Sequence, residues 1–134
     1  MSLFVDTSVW SLALRRDEGD TRAEVRRLRT ALEQSARVVT TGLVLQELLQ
    51  GFQGPKAKEQ IVERLSALPF LVPEREDHVE AAELRNLCRR KGVQVATVDA
   101  LVAQLCIRHE MELLTTDNDF RRIAQHAALV LAKA

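Results

Sequence analysis

The chain has 134 residues, 46% of them apolar, and its 19 basic and 19 acidic side chains leave a formal net charge of zero. That length buries a core without disulfide or metal staples, and the balanced charge gives no global positive field of the kind that advertises a nucleic-acid partner. No apolar run is long enough to span a bilayer, the start lacks a basic-then-apolar leader, and four Phe, one Trp and no Tyr leave no platform for base stacking. The expectation is a cytoplasmic protein with no membrane partner, folded as one domain over residues 1–134.

Leu3-Phe4-Val5 reads as a short strand buried on both faces, and Asp6 stands where the apolar run stops. Thr7 and Ser8 follow, suited to capping a helix from Val9 to about Arg15 with Trp10 and Leu14 on one face. Asp17 to Asp20 is a polar break ending in an N-cap, Asp20, for a helix running to about Gln34 with Val25, Leu28 and Leu32 as its core stripe. Arg37 to Thr40 is β-branched and predicts a second strand. Thr41 caps a helix from Gly42 to Gln50 that is apolar almost all round (Leu43, Val44, Leu45, Leu48, Leu49, then Phe52), with Glu47 as the exception.

Pro55 opens a helix to about Ala67 with Ile61, Val62 and Leu65 inward, and Pro69 to Pro73 is a proline-bounded strand for the sheet edge. Glu76 to Lys91 is a long amphipathic helix closed by Gly92. Val93 to Val98 reads as a loop packed near the site, merging into an apolar helix that begins at Thr97-Val98-Asp99 and carries Leu105, Cys106 and Ile107. Glu112 to Thr116 predicts a fourth strand, Asp117-Asn118-Asp119-Phe120 a turn into a short last helix, and Ala128 to Leu131 a fifth strand. Strands alternating with helices predict a three-layer α/β/α sandwich on a five-stranded, mainly parallel sheet. Cys88 and Cys106, without metal or redox spacing, read as buried free thiols, and His78, His109 and His126 as structural or surface residues on helices.

Asp6 and Asp117 both follow strands at their carboxyl ends, which share one edge of a parallel sheet, and Glu47 and Asp99 lie on helices able to pack over that edge. Taken singly, each has a plainer role: Asp6 as a helix cap, Asp99 as an acid placed for the helix dipole. Together, carboxylates at one mouth repel one another unless a cation is present, and an all-oxygen donor set selects Mg²⁺ or Mn²⁺ over zinc. Such a site suits metal-assisted phosphodiester hydrolysis. Arg15, Arg16 and Arg22 are the arginines expected to hold a phosphate backbone there. The apolar helix from Gly42 to Phe52 exceeds what one sheet face covers, which predicts a symmetric homodimer with part of it, or of the Glu76–Lys91 helix, at the two-fold.

Val5-Asp6-Thr7-Ser8, Thr41 with Glu47, Val98-Asp99-Ala100 and Leu114-Thr115-Thr116-Asp117-Asn118-Asp119-Phe120, in this order and spacing, resemble the PIN-domain family, and within it the VapC-type toxins of bacterial toxin–antitoxin pairs. The resemblance covers the whole chain. It implies a Mg²⁺- or Mn²⁺-dependent endoribonuclease, usually dimeric and held inactive by a small antitoxin. It carries the catalytic and metal-binding roles onto Asp6, Glu47, Asp99 and Asp117, the supporting hydroxyl onto Thr116, and an additional acid onto Asp119. Gly42 and Thr97 depart from the family pattern, where a bulkier residue and a proline are common. An adhesion module with a DxSxS ion site fails at Trp10, and for a receiver domain none of the few lysines follows the last apolar strand suitably. Within the fold, a nuclease acting on DNA and a binding protein with little turnover stay open.

Overall fold

The computed structural model describes residues 1–15 and 22–134. In chain order the elements are β1 (Leu3–Val5), α1 (Thr7–Leu14), α2 (Ala23–Glu33), β2 (Val38–Thr41), α3 (Gly42–Gly51), α4 (Pro55–Ser66), β3 (Phe70–Leu71), α5 (Arg75–Arg90), α6 (Thr97–Arg108), β4 (Glu112–Leu114), α7 (Asn118–Ala124) and β5 (Val130–Leu131). The five strands form one parallel sheet in the order β3-β2-β1-β4-β5. Helix contacts fall into two groups, α1 with α2 and α3 and α3 with α4 in the first part of the chain, α5 with α6 and α6 with α7 in the second. Right-handed crossovers require this: steps toward β3 and steps toward β5 put their helices on opposite faces. The result is the expected α/β/α sandwich.

β1 is central because both its faces are apolar: Phe4 and Val5 are fully buried, and so are Val9, Leu113 and Leu114 around them. Each such side chain contributes about 1.5–3 kcal/mol on leaving water, so Phe4→Ala is the kind of change that unfolds a domain of this size. The order of strands reverses at β1, whose chain successor β2 lies on one side and β4 on the other. In open α/β sheets the crevice outside the carboxyl ends at such a reversal is where ligands bind.

Away from that edge, α5 is closed by Gly92, whose φ of +82° is left-handed backbone that glycine adopts without strain, and Val93 donates to the Cys88 carbonyl at 2.8 Å. At its other end Asp77 is fully buried; it accepts from the Glu74 amide at 2.7 Å and from Arg108 Nη1 at 2.8 Å. Burial pushes the Asp77 carboxyl up, but the Glu74 amide and the Arg108 guanidinium outweigh it and hold the group below the usual carboxylate range. This pair ties the start of α5 to the end of α6, the helix that carries Asp99.

Several expectations need correction. Leu32 and Val62 are 43% and 41% exposed. The buried stripes run instead through Val25, Leu28 and Ala31 on α2 and through Ile61 and Leu65 on α4, and each misplaced residue sits one position, about 100°, off its stripe. Thr41 occupies the N-cap position of α3, but its hydroxyl donates to the Leu71 carbonyl at 2.8 Å, linking β2 to the edge strand. His109 and His126 lie just past the ends of α6 and α7 rather than within helices. Cys88 and Cys106 are buried and free, and burial raises both thiols, helped at Cys106 by the charge of Asp6. The expected cap Asp20 lies outside the described residues.

Candidate active site and metal centre

β1 and β4 pair with Val5 opposite Leu114, and the Asp6 amide donates to the Leu114 carbonyl at 2.9 Å. Asp6 and Thr115, each one residue past its strand, therefore stand side by side at the carboxyl edge. Two hydroxyls converge on one oxygen of Asp6: Ser8 Oγ and Thr115 Oγ1 both donate to Oδ2 at 2.8 Å. Each hydroxyl is in turn oriented by a backbone amide, Thr116 N donating to Ser8 Oγ at 3.1 Å and Asp117 N to Thr115 Oγ1 at 3.0 Å. Asp6 is 8% exposed, and among the described residues nothing donates to its Oδ1. One carboxylate oxygen is fixed and the other is left for a ligand.

The bond from Asp117 N to Thr115 Oγ1 is an i to i+2 hydroxyl turn, and it ends β4 at Leu114 rather than at Thr116. Asp117 then caps α7 by accepting from the Asp119 amide at 2.9 Å. Asp99, in the first turn of α6, completes a group: carboxylate oxygens of Asp99, Asp117 and Asp119 lie within 4.8 Å of one another. Across the mouth Thr7 Oγ1 donates to Glu47 Oε1 at 2.9 Å, joining the start of α1 to α3. Glu47 is exposed in the free chain, not sunk in its apolar helix.

Burial pushes the Asp99 carboxyl up to about 6, and the charges of Asp6, Asp117, Glu47 and Asp119 add to the shift. Against these acids the described residues offer one cation contact, Arg122 to Asp119 at 3.2 Å, between two well-exposed side chains and so weak. The donors are all carboxylate or hydroxyl oxygen, with no thiol or imidazole among them. A hard divalent cation fits such a set, and its charge would offset both the burial and the like charges that raise Asp99.

The predicted acids Asp6, Glu47, Asp99 and Asp117 thus meet at one mouth, with Asp119 beside them. The expected hydroxyl Thr116 contributes its amide, while the hydroxyls that orient Asp6 belong to Ser8 and to Thr115, the latter not among the expected site residues. Strand register supplies the signal for it, since the residue after β4 must neighbour the residue after β1. Arg15 lines a separate cleft of about 650 Å³ with Leu14, Phe52, Pro55 and Lys56. Arg22 is exposed at the start of α2, and Arg16 lies outside the described residues.

Fold and site together define an α/β protein with an oxygen-lined, carboxylate-rich mouth at the reversal point of a parallel sheet. The PIN domain model matches residues 3–125, and the chain belongs to that family. Among its relatives, ribonuclease VapC11 of Mycobacterium tuberculosis is 31% identical over 125 residues, covering 92% of each chain. Among solved structures, VapBC2 from Rickettsia felis, bound to a DNA fragment from its promoter, superposes with a TM-score of 0.74 at 21% identity over 98% of both chains. Mycobacterium tuberculosis VapC20, a sarcin-ricin-loop-cleaving toxin, gives a TM-score of 0.64 at 22% identity, covering 95% of this chain and 98% of its own. These two share the fold.

Proposed function

We propose that this chain is a metal-dependent endoribonuclease and the toxin of a toxin–antitoxin pair, using Mg²⁺ or Mn²⁺. The observation that carries the reading is the gathering of Asp6, Asp99, Asp117 and Asp119, with Glu47 across the mouth, at the sheet's reversal point. The ribonuclease named among its relatives supports the reaction, and the VapBC complexes among its structural neighbours support the antitoxin.

Asp99, Asp117 and Asp119 would hold the cation together with the free Oδ1 of Asp6, and Glu47, oriented by Thr7, would close the set. The ion supplies charge neutralisation at the scissile phosphate and activation of water. Ser8 and Thr115 hold Asp6 in one orientation, so no reorganisation is needed when the substrate arrives. In the metal-free site a proton on Asp99 competes with the cation, so metal affinity should rise as the pH passes about 6.

The same reading describes a single-domain cytoplasmic protein that is silenced by a small antitoxin. A homodimer fits it as well: Leu45 and Leu49 on α3 are half-buried, and Val79 on α5 is 46% exposed. Sedimentation at tens of micromolar checks the dimer, and a monomer refutes it. For the activity, the purified chain is incubated with labelled single-stranded RNA and with DNA of matching sequence, with Mn²⁺ or with EDTA. Cleavage of RNA alone, abolished by EDTA, is expected. Cleavage of DNA instead, or of neither, overturns the reading.

A further inference from the structure

Beside the acid cluster a second cavity, of about 520 Å³, opens between the carboxyl ends of β4 and β5 and the first turn of α2. Thr115 lines it while donating to Asp6 Oδ2 at 2.8 Å, so the cavity shares a wall with the site. Two cations line it, Arg121 from α7 and Lys133 from the segment after β5, and neither pairs with a carboxylate among the described residues. α7 carries adjacent arginines with different tasks. Arg122 sits on Asp119, whereas Arg121, about 100° round the helix, lines the cavity. Glu24 is the acidic side chain on the same wall, in the first turn of α2 where the helix dipole favours it.

An RNA strand approaching this protein meets carboxylates, which a cation neutralises only at the scissile phosphate. The neighbouring phosphates are repelled unless fixed positive charge stands close by. Among the described residues, the one arginine contact to the acids of the mouth is taken up by Asp119. We propose that the cavity beside Thr115 holds the phosphate of an adjacent nucleotide, with Arg121 and Lys133 as positioning residues; this rests on the ribonuclease reading above. Arg121 offers a planar fork for two phosphate oxygens and Lys133 a mobile point charge. Glu24 is left to accept from a ribose hydroxyl or a base amino group, which gives the cavity partners for a nucleotide and not only for an inorganic anion.

The test is steady-state cleavage of a labelled single-stranded RNA of mixed sequence, in Mn²⁺, over a range of KCl concentrations. Arg121→Ala/Lys133→Ala is compared with the wild type and with a charge-matched control, Arg37→Ala/Arg64→Ala. The control residues lie at the amino end of β2 and in the last turn of α4, away from the mouth. Loss of two phosphate contacts should raise KM at least about tenfold with little change in kcat. It should also make the plot of log kcat/KM against log salt shallower by about 1.4, at about 0.7 per contact on a single strand. The control should keep the wild-type slope, and both variants should keep the wild-type melting temperature and Mn²⁺ response. A double variant with wild-type KM and slope overturns the assignment of Arg121 and Lys133 alone. A wild type that does not cut RNA overturns the ribonuclease reading and the proposal with it.

Discussion

Replacing Asp99 by Asn should stabilise the metal-free protein while destroying its response to metal. The carboxyl titrates at about 6 in the fold and at about 3.8 without its surroundings. Between those values the native state binds more protons than the unfolded chain, so folding stability falls as the pH rises, and above about 6 the full cost is present. A shift of roughly two units corresponds to about 3 kcal/mol. Asp99 is only half-buried, and solvent screening reduces that to about 1–2 kcal/mol. Asn keeps the shape, carries no charge and breaks no hydrogen bond made by Asp99 to a described residue. Melting in EDTA at pH 8 should therefore rise by roughly 3–8 °C for a chain of this size, and the difference should shrink as the pH falls through about 6 and be gone below about 3.8. With Mn²⁺ the wild type should gain stability by mass action and the variant should gain little. A variant that melts lower than wild type at pH 8, or a difference that does not change with pH, would refute the picture of a carboxylate held charged against burial and its like-charged neighbours.

Ser8→Ala or Thr115→Val removes one of the two hydroxyls on Asp6 and should cost about 1 kcal/mol of stability and about 10–100-fold in cleavage, read by melting and by RNA turnover. Thr116→Val keeps the amide that the site uses and should be far milder in the same assays. Asp77→Asn should lower the melting temperature at pH 7, since a carboxyl held below its ordinary range contributes stability that is lost as the pH falls through that range; the deficit should fade in acid. Gly42→Ala should raise stability by about 0.5 kcal/mol in denaturant melts, because the added Cβ meets Phe70 Cζ at 3.6 Å, an ordinary contact, and the unfolded chain loses freedom.

The strands were legible because a sheet buried on both faces demands short, continuous apolar runs, and Leu3–Val5 and the pair Leu113-Leu114 supply them. The acids were legible as a set: Asp6 and Asp117 stand where an apolar run stops, Asp99 opens a buried helix, and Glu47 interrupts a helix that is otherwise largely apolar. Thr115 was not legible by those means. A threonine after Leu114 prolongs a β-branched run, and only the pairing of β4 with β1, together with the hydroxyl turn to Asp117, shows that the strand has already ended. Leu32 and Val62 mislead through helical phase, since an apolar residue next to a stripe cannot be told from one within it until the neighbouring elements are in place. The cavity of Arg121 and Lys133 joins residues from α7 and from beyond β5, and no local pattern connects them.

The most direct test of the metal site is RNA cleavage by the wild type and by Asp6→Asn, each with Mn²⁺ and with EDTA. The Asp6 side chain makes no cap bond to α1, so the substitution leaves that helix intact while weakening the carboxylate whose Oδ2 is held by Ser8 and Thr115. The expected result is Mn²⁺-dependent cleavage by the wild type, lost in EDTA, and a fall of at least about a hundredfold in Asp6→Asn, beyond what removing an outer partner costs. An Asp6→Asn protein that cuts RNA at close to the wild-type rate, with its Mn²⁺ dependence intact, would contradict the assignment of Asp6 and of the metal centre built around it.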